Sequence, residues 1–160
     1  MNIEVHSRDT IRNIKPKYPF IVISIFDPRS FPAPIGKSTN CKGILQLSFD
    51  DVDAKRGMSY EEQSNRDEVC ITETQAQLIA DFVKAYKDRV ELIICQCEAG
   101  ISRSAGVAAA IADYFNQDSN RFYNGSGPNG RFFPNRTVYW ALMSAFGTLP
   151  FMKAMDKHSV

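Results

Sequence analysis

Cys97, Gly100, Arg103 and Ser104 fall within the eight-residue string Cys97-Glu98-Ala99-Gly100-Ile101-Ser102-Arg103-Ser104. The string lies between a β-branched run and an Ala-rich run, which places it after a strand and before a helix. A helix start offers unpaired N–H groups and about half a positive charge, and so attracts an anion. Loop amides curling inward add a nest for the same anion, and Gly100 permits the left-handed backbone that such a curl needs. Arg103 carries a planar fork suited to two oxygens of a tetrahedral anion. Positive surroundings favour the thiolate of Cys97, which is the nucleophilic form. Ser104 is placed to donate a hydrogen bond to that sulfur and to help it leave. The chemistry is nucleophilic attack by sulfur on a bound phosphate.

The elements that must hold this loop follow from the apolar pattern. Phe20-Ile21-Val22-Ile23-Ser24-Ile25-Phe26 is a continuous run typical of a strand buried on both faces of a parallel sheet. Asp27 to Asn40 contains Pro28, Pro32, Pro34 and Gly36 and reads as loop. Gly43–Phe49 is a second strand, ending abruptly in Asp50-Asp51-Val52-Asp53. The polar stretch from Ala54 to Asp67 has no clear period. Thr72-Glu73-Thr74-Gln75 fits a capping box, and Ala76, Ile79, Ala80, Val83 and Tyr86 recur as a helical stripe behind it. Val90–Ile94 is a third strand. Ser104–Ala112 is helical and apolar nearly all round, which predicts burial. Val138, Tyr139, Leu142, Met143 and Phe146 give a last helix, stopped by Gly147. Strands alternating with helices predict an α/β fold with a mainly parallel central sheet flanked by helices. Residues 1–160 are expected to form a single domain. Ligands of such sheets bind at the carboxyl ends of strands. Both the acidic end of the second strand and the Cys97 loop sit there.

Composition narrows the function classes. The chain has 19 Lys+Arg against 18 Asp+Glu, so a net charge of +1 gives no global basic face for nucleic acid. Apolar runs are far shorter than the roughly 18 residues of a membrane span. The N-terminal residues lack a basic and apolar leader, so a cytoplasmic location with reduced thiols is expected. The histidines, His6 and His158, stand at opposite ends, and the four cysteines form no Cys/His metal pattern. No metal or cofactor is expected.

Cys97 through Ser104 resembles the phosphate loop of the cysteine-based protein tyrosine phosphatases, and most of all its dual-specificity branch. The resemblance is clearest from about Gly43 to Phe115. It implies that Cys97 attacks phosphorus and forms a cysteinyl-phosphate intermediate. Arg103 then binds the phosphoryl oxygens, and the amides of Glu98, Ala99, Gly100, Ile101, Ser102 and Arg103 complete the cradle. Ser104 assists breakdown of the intermediate. It also implies an Asp on a separate loop as general acid for the leaving group and then as base for water. Matching the strand register favours Asp51, with Asp50 as the alternative and Asp53 last. The implied substrate is a phosphorylated protein or peptide, bearing phosphotyrosine and also phosphoserine or phosphothreonine. Two departures stand out. Gln96 replaces the histidine usual before the nucleophile, and a long polar stretch separates Asp51 from Cys97.

Gln96 keeps open a pseudophosphatase that binds phosphorylated partners without turnover. A phosphoinositide or RNA-end phosphatase is a further alternative, disfavoured because the variable loop positions carry no lysine. A rhodanese-like sulfurtransferase also cradles a cysteine, but Gly100 with Arg103-Ser104 fits a phosphatase better. Elsewhere the plainer readings prevail. Cys95 and Trp140 read as core, Gly106 as a site of close packing on the sheet, and Phe132, Phe133 and Tyr123 as loop anchors. Arg121, Arg131 and Arg136 read as a solvated rim. The long stretch from Asp118 to Pro134 hints at a functional edge.

Overall fold

A computed structural model of the chain describes residues 1–53 and 68–147. The polar stretch 54–67 lies outside the described residues. Four parallel strands form the central sheet in the order β1-β4-β2-β3, where β1 is Asn2–His6, β2 Phe20–Phe26, β3 Cys41–Ser48 and β4 Leu92–Gln96. The helices are α1 (Arg8–Ile11), α2 (Glu73–Tyr86), α3 (Arg103–Tyr114) and α4 (Arg136–Ala145). This is the α/β sheet expected from the pattern, with β2 at its predicted bounds and the other two predicted strands shifted by about two residues.

The pattern assigns no element to the first six residues, yet they form β1 at the sheet edge. Ile3 and Val5 point into the core while Asn2 and Glu4 stay exposed. Period-two alternation over five residues is short, and only pairing with β4 makes it a strand.

The alternation of β2 and β4 divides the interior in two. Ile21, Ile23, Ile25, Ile93 and Cys95 face the larger core, filled by α2, α3 and α4. Phe20, Val22, Leu92 and Ile94 face a smaller one, covered by Ile11 of α1 and by Ala33, Ile14 and Ile35. The three longer helices therefore lie on one face, while the short α1 and the proline-rich segment after β2 cover the other. Every residue of α3 from Arg103 to Ala112 is buried, because the helix lies between the sheet and α4. Its alanines let neighbours approach closely. Gly106 does so too, but against α4: a Cβ there would stand 2.6 Å from the Asn135 carbonyl oxygen, so its tight neighbour is the start of α4 and not the sheet.

The predicted capping box at Thr72 is present. The Thr72 hydroxyl accepts from Gln75 N, and the Gln75 side chain accepts from Thr72 N. Gly147 ends α4 with φ +74, as a left-handed stop requires. Trp140 is 41% exposed and is not core; the helix turns Val138, Tyr139, Leu142 and Met143 inward instead. The segment from Asp118 to Pro134 holds a short 3-10 turn (Ser119–Phe122) and a two-stranded antiparallel pair, β5 (Ser126–Gly127) with β6 (Gly130–Arg131). Phe132 anchors it in the core. No described helix is long and apolar enough to cross a membrane.

Candidate active site

Because all four strands run parallel, their carboxyl ends share one edge, and each end delivers a segment to the same place. β4 leads into Cys97, β1 into Ser7, β2 into Asp27, and β3 into Phe49, Asp50 and Asp51.

The loop after β4 is held by its carbonyls. The Glu98 carbonyl accepts from Arg8 N at 3.1 Å, Ile101 from Phe133 N at 3.0 Å, and Ser102 from Asn135 N at 3.0 Å. Cys97 N donates to the His6 carbonyl at 3.3 Å. The main-chain N–H groups of residues 98–102 have no acceptor among the described residues. A loop whose carbonyls are tied outward and whose amides are left over is an anion cradle. Gly100 makes the curl possible at φ +68. Its missing side chain also matters, since a Cβ would lie 2.7 Å from Ser7 N and 2.8 Å from His6 C.

The helix that follows begins without a side-chain cap. Ser102 occupies the N-cap position, where serine commonly accepts from the first turn, but its hydroxyl donates to Asp51 Oδ1 at 2.7 Å instead. The first-turn amides of α3 thus keep their hydrogen-bonding capacity, and no acidic residue sits in that turn.

Cys97 is buried at the base of this loop, with Sγ 3.0 Å from Ser104 Oγ. Arg103 is buried as well. Its Nη1 donates to Asp27 Oδ1 at 2.6 Å and to the Phe49 carbonyl at 2.8 Å, which fixes the plane of the guanidinium. Its Nε is buried and has no partner among the described residues. The fork is thus anchored by one nitrogen, with a second donor unspent.

Gln96 is fully enclosed. Its Nε2 donates to the Cys97 carbonyl at 2.9 Å, and its Oε1 accepts from Ser24 Oγ at 2.5 Å. A neutral amide N–H therefore holds the Cys97 carbonyl, oriented by a hydroxyl from β2. Cys95 packs in the core as expected. Burial, and then the neighbouring Cys97, pushes its thiol well above the ordinary range, so it stays protonated.

The three aspartates separate cleanly. Asp51 is exposed and reaches the phosphate loop through Ser102, with a second bond from Asn135 Nδ2 at 2.9 Å. Asp50 is buried and turned away: Oδ1 accepts from Arg29 Nη2 at 2.7 Å and Oδ2 from Val69 N at 2.8 Å. Burial alone would raise the Asp50 pKa, but the Val69 N–H, Arg29 and Arg103 together bring it below the usual carboxylate value. A group held ionised in this way is a poor proton donor. Asp53 accepts from the Thr137 hydroxyl at 3.3 Å and makes no contact with the phosphate loop among the described residues.

Asp27, Ser24 and Asn135 also contribute and escape the sequence pattern. Asp27 carried a signal, since it ends a parallel strand, where such sheets bind their ligands. Ser24 is the one polar residue in an apolar strand. Asn135 has only its place before a helix. Among the described residues no cluster of three or more His, Cys, Asp or Glu is arranged to hold a metal ion.

No family model matches this chain, and no curated protein matches it in sequence. Solved structures do match. Human DUSP28 superposes with a TM-score of 0.54 at 14% identity, over 94% of this chain and 94% of its own. The chain has the dual-specificity phosphatase fold. A mouse protein assigned as a dual specificity phosphatase, complexed with zinc tungstate, agrees at a TM-score of 0.50 and 16% identity, over 85% of this chain and 74% of that one. The likeness at these identities is one of fold. In this phosphatase fold the chemistry rests on the residues themselves.

Proposed function

We propose that the chain is a phosphomonoester hydrolase acting on phosphorylated protein, with phosphotyrosine as its preferred ester. The observation that carries this reading is the buried Arg103 guanidinium, anchored through Nη1 with Nε unpartnered among the described residues, at the end of the loop of unpaired amides that follows the Cys97 thiol. Five amides, a guanidinium and a helix start lie within one short stretch of chain, 98–103. Together they match the oxygens of a phosphoryl group and the charge it develops in transfer.

The steps follow from the contacts. The thiolate of Cys97 attacks phosphorus as the P–O bond to the leaving group breaks. The leaving oxygen takes a proton from Asp51. A water then gives its proton to the Asp51 carboxylate and attacks phosphorus. The P–S bond breaks, and the Ser104 hydroxyl donates to the departing sulfur. Inorganic phosphate leaves, and thiolate and acid are restored. No metal is called on.

Two exposed aromatics support an aryl ester. Phe133, 63% exposed, is tethered through its N–H to the Ile101 carbonyl of the loop. Phe31, 83% exposed, is held by its carbonyl to Arg8, whose Nε bonds Glu98 Oε2 at 2.8 Å. Acidic Glu98 at the loop mouth disfavours a polyanionic inositol phosphate or RNA end. Gln96, the feature behind a non-catalytic reading, keeps an N–H on the Cys97 carbonyl, which favours turnover.

The test is hydrolysis of matched phosphotyrosyl, phosphoseryl and inositol phosphate substrates in the presence of a chelator. Turnover with the order phosphotyrosyl first is expected. No turnover of any of them, or a preference for the inositol phosphate, overturns the proposal.

A further inference from the structure

Asn135 sits at the junction of three pieces of this site. It is 1% exposed. Its Oδ1 accepts from Val138 N at 3.0 Å and so caps α4. Its backbone N–H holds the Ser102 carbonyl of the phosphate loop at 3.0 Å. Its Nδ2 donates to Asp51 Oδ1 at 2.9 Å and to the Val52 carbonyl at 3.0 Å. The amide orientation is determined, because one side faces an N–H donor and the other faces two acceptors.

We infer that Asn135 is the positioning residue for the general acid, which it acts through by fixing which oxygen of Asp51 carries the proton. Oδ1 receives two donors, the Ser102 hydroxyl at 2.7 Å and Asn135 Nδ2. An oxygen accepting two hydrogen bonds is the acceptor of the carboxyl group, so the transferable proton resides on Oδ2. The two donors come from two elements, Ser102 from the phosphate loop and Asn135 from the start of α4, themselves joined by the Asn135 N–H to the Ser102 carbonyl. The bond to the Val52 carbonyl holds the main chain just after Asp51. Asp51 is exposed and hangs on a loop, so without this clamp its carboxyl group rotates freely and the protonated oxygen is undirected. A misplacement of about 1 Å is enough to cost about 100-fold in a step of this kind. The small Gly106 next to Asn135 belongs to the same arrangement, since any larger residue would displace the Asn135 carbonyl.

The inference rests on Asp51 as acid, and its test separates the two. The probes are phenyl phosphate, whose leaving group needs protonation, and 4-nitrophenyl phosphate, whose leaving group needs little. Asn135→Ser keeps an oxygen at the cap and removes the Nδ2 donor. Asn135→Asp keeps Oδ1 in place and sets an acceptor against Asp51. Both should lower kcat on phenyl phosphate by about 10- to 100-fold, a part of the roughly 100- to 10,000-fold that general acid catalysis supplies, and change kcat on 4-nitrophenyl phosphate less than about threefold. In an Asp51→Ala background neither should add a further loss on phenyl phosphate. Equal losses on both esters, or losses that persist in the Asp51→Ala background, make Asn135 merely structural and overturn the inference. Asp51→Ala leaving both esters unaffected, while Cys97→Ser abolishes turnover, overturns the acid assignment and the inference with it. A wild type inert on both esters overturns the proposed function itself.

Discussion

Replacing Gly100 by alanine perturbs the phosphate loop in two separable ways. The first is conformational: φ is +68, and an L-residue in that region costs about 1–2 kcal/mol. The second is crowding. The added Cβ would stand 2.7 Å from Ser7 N, 2.8 Å from His6 C and 3.0 Å from the His6 carbonyl oxygen. All three are main-chain atoms at the end of β1 and the cap of α1, so no side-chain rotation relieves them, and overpacking of this kind costs about 1–3 kcal/mol. Gly147 is the internal control, at φ +74 with no atom of the described residues within 4 Å of its would-be Cβ. Gly147→Ala carries only the first cost. At about 2–4 °C per kcal/mol for a chain of this size, Gly147→Ala should melt about 2–8 °C below wild type. Gly100→Ala, at about 3 kcal/mol, should melt about 6–12 °C below it. Thermal melts by circular dichroism measure both. Inorganic phosphate inhibition of turnover reads the cradle: it should weaken in Gly100→Ala and hold in Gly147→Ala. Equal melting losses with unchanged phosphate inhibition would refute the packing of the loop against β1.

Two further outcomes follow from the same geometry. Asp50 has its pKa depressed in the folded chain, so its stabilisation is complete above the unfolded value of about 3.9 and lost as pH falls through the folded value. Asp50→Asn should therefore melt below wild type at pH 6, with the gap closing below about pH 4; a gap that stays constant with pH counts against the Arg29 and Val69 contacts. Gln96→Leu strands the Cys97 carbonyl and the Ser24 hydroxyl in the interior. A loss of about 1–3 kcal/mol is expected for such unpaired groups, read by urea denaturation together with a lowered kcat, and wild-type values for both would show that Gln96 orients nothing.

The sequence made the loop legible because its parts are local. A nucleophile, a left-handed glycine, an arginine and a hydroxyl lie within eight residues, and a buried strand and a small-residue helix flank them. The capping box at Thr72 and the stop at Gly147 were equally local. What stayed hidden depends on distance along the chain. Asp27 lies 76 residues from the Arg103 it pairs with, and Asn135 lies 84 from Asp51. No periodicity relates such positions; only the parallel sheet, which gathers strand ends on one edge, brings them together. Trp140 misled because a helical stripe fixes which residues can share a face but not how wide the covered face is. Asp51 and Asp50 are likewise told apart only by the fold, since these neighbours in a turn meet different partners and it is Asp51 that reaches the loop.

The central claim is that Cys97 carries phosphate between two half-reactions. The direct measurement is acid quenching, within the first turnover, of the protein mixed with a phosphotyrosyl peptide labelled with radioactive phosphorus. A labelled protein is expected, with thiol-linked phosphate on Cys97 that survives alkali and is released by iodine, absent in Cys97→Ser and slower to form in Asp51→Ala, where the departing tyrosine lacks its proton donor. Label on a different residue, or turnover by Cys97→Ser equal to wild type, would contradict it.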